Sequence, residues 1–334
     1  MARITEVEID YTKATVSSMT IPIDYDDNDV GSVGDPPDGT VFKTQDDVDK
    51  VLSDNGWTAF KHLDRAYEAL PLFILHAVTF EVAAGIQRPS GDTSTCWDLT
   101  HRYLATGAGV FFAITIKGVG EYLDIVGDSG SPLTVDSYDN GSSSKNPSVS
   151  FTGTPFAGLN LKGRYAILST GQKCVIHKHT DNTLYTLEAP TSAPTTCWVG
   201  RPSTIFRNSQ DDIVKYGNTG IHLVGESSRN PSMFSLEDVS YEGFGSSSVH
   251  VQVAAPHFRA TRVVVDDLST YEEFGINPNG RPFQGGANWG LFNLFDCAYA
   301  APDGVSGNDG VIYKTEGPIR ITECYFAKDR KSVV

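Results

Sequence analysis

Adjacent carboxylates are the first chemistry the sequence offers: Asp211 and Asp212 in RNSQDDI, Asp266 and Asp267 ending RVVVDD, and Glu272 and Glu273 in STYEEFG. Glycoside cleavage needs two carboxyl groups flanking one bond. In extended chain, neighbouring residues point to opposite faces, so the members of a doublet cannot meet in one cleft. The doublets are therefore expected to be solvated acids at strand ends, with Asp211, Asp212, Asp266 and Asp267 the catalytic candidates if a glycan is cleaved at all. His177 and His179 in VIHKHT lie two apart, on one face of a strand, but only Asp181 is near enough in sequence to extend a ligand set, and no metal is expected. His222, His250 and His257 fall in strand-like runs, GxSxG is absent, and a hydrolase triad has no support. Glycan binding without cleavage needs exposed rings and polar partners. Tyr271, Glu272, Glu273, Arg281 and Trp289 supply those types in and around the excursion INPNGRPFQGGANWG, residues 276–290; a core ladder or a subunit contact is the other use for such rings. No glycine-rich phosphate loop follows any strand, so no cofactor is expected.

The bulk properties limit the partners. Lys plus Arg number 26 against 41 Asp plus Glu, a formal charge of −15, which repels nucleic-acid phosphates and anionic membrane surfaces. Neither nucleic acid nor membrane insertion is expected, whereas sugar hydroxyls or a divalent cation remain compatible with the acidity. A 40% hydrophobic content in 334 residues supports a substantial core. The opening MARITEVEIDYTKA lacks a basic segment followed by an apolar stretch, which predicts synthesis in the cytoplasm. Cys96, Cys174, Cys197, Cys297 and Cys324 form an odd set without a CxxC pair and are expected as buried thiols.

The elements that must position these residues are mostly strands. Residues 1–40 run through DYDDNDVGSVGDPPDG and are expected as an arm and linker, in which TKATVSSMTIPIDY could form short extended segments suited to lying on a neighbouring subunit. Phe60, Leu63, Tyr67 and Leu70 recur at spacings of three and four, which predicts a helix near 58–70 ended by Pro71. Strand-like runs follow: VTFEVAAG, FAITIKG, YLDIVG, LNLKG, RYAILS, KCVIHK and TLYTLE, then IHLVG, FSLEDVSYEGFG, VHVQVA, FRATRVVVDD, GLFNLFDCAYA, VIYKTEG and IRITECYF. Comparable runs recur every 20 to 30 residues or so, a range that favours a solenoid over a sandwich. The Asn140-Gly141 pair sits in a long Gly/Ser stretch, 137–155, expected as an exposed excursion rather than a hairpin turn. IRITECYFAKDRKSVV stops soon after a strand with no amphipathic cap, so a partner or further chain is expected to cover that end.

The run from Phe42 to Gly85, above all EALPLFILHAVTFEVAAG, resembles the opening of phage and prophage tail proteins with a pectate-lyase-like β-helix, and CWVGRPSTIFRNSQDD and FSLEDVSYEGFG resemble later coils. The resemblance implies an all-β fold, a right-handed parallel β-helix over residues 41–334, whose amphipathic helix covers the first coil. It also implies a virion protein of the tail, tail-fibre or baseplate class, a homotrimer attached to other virion proteins through its N-terminal arm and able to contact bacterial surface glycan. Some members of this class are tailspikes that degrade polysaccharide, the alternative function. The sequence departs from the family where IQRPS follows the first strand's glycine.

Overall fold

The computed structural model describes residues 10–25, 33–91, 95–99, 103–104, 113–126, 131–142, 145–207, 219–224, 234–244, 247–252, 258–266, 281–285, 292–300, 311–313 and 319–327. These residues are mostly β, with two α-helices and a sheet of many parallel strands. The all-β expectation holds at that level.

The parallel strands fall into three columns. In the first, Met19–Ile23, Val78–Val82, Ile114–Gly118, Phe234–Glu242, Phe258–Asp266, Phe292–Phe295 and Ile319–Thr322 lie side by side. The second holds Gly85–Gln87, Thr204–Arg207, the C-terminal halves of the two nine-residue strands, Ala298–Ala300 and Tyr325–Phe326. The third holds Thr95–Asp98, Thr219–Val224, Ser247–Gln252, Arg281–Gly285 and Val311–Tyr313. From Val78 onward the chain visits the columns in this order and returns to the first. Phe234 pairs with Phe258, Phe258 with Phe292 and Phe292 with Ile319, steps of 24, 34 and 27 residues. Period-two burial fixes that register: Val78, Phe80 and Val82 are buried while Thr79 and Glu81 are half-buried, and a one-residue slip would expose the apolar set.

The helix prediction is corrected in its bounds. Ala59–Phe60 is a strand, and the helical part is only Leu63–Glu68, α2. Phe60 pairs with Ile23 and Gly34, so a sheet partner overrides the helical spacing there. The apolar face itself is as expected: Phe60, Leu63, Tyr67 and Leu70 are all buried in the main core beside Ile21, Phe80 and Trp97. A longer helix that the apolar spacing did not reveal, α1 over Gln45–Asn55, precedes it; a Thr44/Asp47 capping box starts it and Val48 anchors it in the same core.

Two other expectations change. Met19–Ile23, taken as part of an arm for a neighbour, instead pairs with Val78–Val82 along its whole length, with Met19, Ile21 and Ile23 buried. The described residues between 119 and 203, expected as further strand runs with an excursion at 137–155, form an antiparallel sheet inserted between Ile114–Gly118 and Thr204–Arg207. Its order runs Tyr122–Asp124, Thr196–Pro202, Tyr165–Leu168, Lys173–His179, Thr183–Thr186, Ser148–Ser150, Ser137–Asp139. Asn140-Gly141 lies in the connection between the last two, which pair antiparallel, so this Asn-Gly does serve a hairpin. LNLKG is turn rather than strand. The insert has its own apolar core, including Val149, Phe156, Leu161, Ile176, Leu184 and Val199. Where it leaves the array, backbones come too close for a side chain: a Cβ on Gly118 would lie 2.1 Å from the Asp238 carbonyl oxygen.

Replacing Leu63 with aspartate puts an unpaired charge into the α2 contact, where the native residue is 2% exposed. The expected loss of unfolding free energy is on the order of 3 kcal/mol, read by urea titration.

Candidate functional site at the bend column

Among the described residues, four that are not glycine adopt left-handed backbone: Asp238 (φ 53°), Arg262 (51°), Asp296 (52°) and Glu323 (55°). The flanking registers, Glu237 to Thr261, Thr261 to Phe295 and Phe295 to Thr322, place them in one column. Each lies where the chain passes from the first strand column to the second. Left-handed conformation costs a non-glycine residue about 1–2 kcal/mol, so the surroundings must hold the bend. Here the surroundings are the insert.

The upper half of the column is a satisfied charge cluster. Arg262 grips Asp238 with both ends of its guanidinium, Nε to Oδ1 at 2.7 Å and Nη2 to Oδ2 at 2.7 Å. From the insert, the Tyr122 hydroxyl donates to Asp238 Oδ1 at 2.8 Å and Lys173 Nζ reaches it at 3.4 Å, while lying 3.9 Å from the centre of the Tyr122 ring. Burial opposes the Asp238 charge, but these donors together hold its carboxyl below the usual value. Burial and the neighbouring Asp238 push the Tyr122 hydroxyl upward, which keeps it a donor.

The lower half is unlike it. Asp296 and Glu323 meet Glu188 of the insert, with one oxygen from each carboxyl within 4.8 Å of the others. Glu188 is half-buried, Asp296 is half-buried and Glu323 is exposed, so the cluster opens to solvent on one side. Gln172 steadies Glu188: its Nε2 donates to Glu188 Oε2 at 3.4 Å and to the Ala189 carbonyl at 2.9 Å. The Tyr165 hydroxyl donates to the Asp296 carbonyl oxygen at 2.5 Å. Burial, then the adjoining Glu323 and Asp296 carboxyls, push Glu188 up to about 9, and burial raises Asp296 as well. Hydrogen bonding between the two carboxyls raises Glu188 and opposes the rise that burial causes at Asp296, so they titrate as a pair. Once ionised, the three carboxylates offer hard oxygen ligands of the kind Ca²⁺ takes, three of the six to eight it needs.

A second contact, fully enclosed, ties the insert to the array. Arg164 and Arg201 of the insert both reach Asp266, at 2.9 and 2.5 Å; Arg201 also reaches Glu242 at 2.5 Å, and Glu242 is held in turn by Arg207 at 2.6 Å. Asp266 is 0% exposed, which corrects its reading as a solvated strand-end acid. Such a charge persists only because it is paired on both sides. Gly163, in left-handed backbone at φ 80°, lets the insert close to van der Waals contact with Ala300, 3.0 Å from where a Cβ would be.

The other residues singled out in the sequence do not join this site. Asp211, Asp212, Asp267, Tyr271, Glu272, Glu273, Trp289 and His257 lie outside the described residues. Arg281 opens the strand Arg281–Gly285, paired with Ser247, and only its backbone is described; the same holds for His222 and His250, which pair with each other. His177 and His179 do not share a simple strand face, because the register shifts between Ile176 and Lys178, and His179 Nε2 accepts the Leu161 N–H at 3.3 Å. Cys174, Cys197 and Cys297 are buried thiols, as expected, and Cys324 is half-buried. Among the described residues no helix is long and apolar enough to cross a membrane. The chain matches no protein-family model, no curated protein and no solved structure.

The raised Glu188 carboxyl makes stability depend on pH. The folded chain keeps a proton here that the unfolded chain releases in the usual carboxylate range, so the contribution is complete below that range, declines as pH rises and is gone past about 9. Glu188→Gln keeps the size and amide hydrogen bonds without the charge. Melting curves at about pH 5, 7 and 9 are expected to show a smaller decline for Glu188→Gln than for the parent chain.

Proposed function

We propose that the chain is a right-handed parallel β-helix that serves as a structural subunit of a phage-type virion appendage, of the tail, tail-fibre or baseplate class, carrying a lateral antiparallel insert. The observation that carries this reading is the order of the three parallel columns, revisited at steps of 24 to 34 residues, with α1 and α2 packed on the core at the N-terminal side. Stacked coils give a stiff rod whose length grows by one strand spacing per coil, which suits an appendage. The acidic surface suits a partner other than nucleic acid, such as other virion proteins or bacterial surface glycan. Attachment through the N-terminal region and assembly as a homotrimer complete the reading, with residues 10–25 already engaged by the chain itself.

The alternative, a polysaccharide-degrading tailspike, gains one specific observation: three carboxyls meet at the bend column and one is held protonated near neutral pH, as a general acid must be. Distance weighs against it. Retaining glycosidases separate their carboxyls by about 5–5.5 Å and inverting ones by roughly 6.5–9.5 Å. One oxygen from each of the three carboxyls lies within 4.8 Å of the others, short of both separations.

Sedimentation at micromolar concentration tests the assembly: the expected species has about three times the 36.1 kDa chain mass, and a stable monomer contradicts it. Incubation with bacterial polysaccharides tests the division between the readings. No reducing ends or unsaturated products are expected; their release, abolished by Glu188→Gln or Asp296→Asn, would make the tailspike reading the better one.

A further inference from the structure

Cys297 and Cys324 each follow a left-handed bend residue, Asp296 and Glu323, and so occupy the same place in successive coils. The pairings Phe295 to Thr322 and Ala298 to Tyr325 bracket them, and hydrogen bonds run on both sides, Asp296 N to Thr322 O at 3.1 Å and Tyr325 N to Cys297 O at 3.0 Å. The two cysteines are therefore direct neighbours across one strand spacing, about 4.8 Å between Cα atoms, within the roughly 4.4–6.8 Å span a disulfide accepts. Each thiol donates to the carbonyl oxygen two residues before it, Cys297 to Phe295 at 3.3 Å and Cys324 to Thr322 at 3.2 Å, so the two side chains repeat one another on neighbouring strands. Cys174 and Cys197 show the contrast: they sit on the two strands flanking Tyr165–Leu168, two spacings or roughly 10 Å apart, beyond that span.

We infer that Cys297 and Cys324 form a redox-closable rung, which a small-molecule disulfide such as oxidised glutathione converts to an intramolecular disulfide joining the coil at 319–326 to the coil at 292–300. Cys324, the half-buried member, is the point of entry; Cys297 is buried. The Cys324 thiol gives its proton to solvent and its thiolate attacks one sulfur of the glutathione disulfide, expelling one glutathione thiolate. The Cys297 thiolate, its proton likewise lost, then attacks the Cys324 sulfur and expels the second glutathione. In sum two protein thiols are oxidised and one small disulfide is reduced to two thiols. Burial, together with the adjoining Cys324 thiol, pushes the Cys297 thiol well up, so the second step is the slow one and speeds up with pH. A reducing cytosol keeps such a rung open and an oxidising exterior closes it.

The test uses the full chain, folded, with excess oxidised glutathione at about pH 8, followed by alkylation, digestion and peptide mass analysis. The expected result is a peptide pair linked through Cys297 and Cys324, two hydrogens lighter than the separate thiols, with a rise in Tm on the order of 5 °C that reductant reverses and Cys324→Ser lacks. Cys174 and Cys197 should react only after unfolding. Glutathione retained on Cys324 with no link, or a Cys297–Cys324 link that forms only in denaturant, would overturn the inference.

Discussion

Everything lateral in this molecule depends on a left-handed bend repeated in register. Asp238, Arg262, Asp296 and Glu323 each hold a backbone conformation that their side chains disfavour, at matching places along neighbouring parallel strands. Parallel pairing propagates the bend, because a strand that did not turn here would lose its register with the strands on either side. The same bend turns a row of charged side chains toward the insert. Backbone strain and electrostatics are thus joined at one column.

The insert meets the parallel strands in two electrostatic regimes. Around Asp238 and around Asp266, cations outnumber or match the acids, and at the fully buried Asp266 removing one partner would strand a charge in low dielectric. Glu188, Asp296 and Glu323 crowd together instead, where burial and the neighbouring carboxyls raise Glu188 to about 9, with Arg262 acting on Asp296 from the neighbouring strand. The first regime anchors the insert at any ordinary pH. The second makes a local contact that acid tightens and alkali loosens.

Much of the fold was legible from local pattern. Alternation in VTFEV and FRATRVVVD located strands, and the 20-to-30-residue recurrence anticipated their parallel stacking. Local pattern failed where long-range partners decide. Phe60 has helical spacing but takes a strand because Ile23 and Gly34 are there to pair with it, and α1 is so polar that its capping box, not its apolar face, is its signal. The insert was hidden for a related reason: its strands have the same composition as the parallel strands, and only their antiparallel pairing, as of Tyr122–Asp124 with Gly200–Pro202 and of Tyr165–Leu168 with Cys197–Gly200, separates it. The carboxylate site was not legible at all. Glu188, Asp296 and Glu323 are isolated acids far apart in sequence, whereas the conspicuous doublets drew attention; of those described, Asp266 proved to be a buried anchor.

The bend column is tested most directly by comparing Glu323→Gly with Glu323→Ala in urea unfolding. Both variants lose the same carboxyl, so the difference between them isolates the backbone. Glycine enters left-handed conformation freely while alanine does not; the account predicts that the glycine variant is more stable by about 1 kcal/mol. At an ordinary strand position the order reverses, with glycine less stable than alanine by roughly 0.5–1 kcal/mol, and that result would contradict the bend.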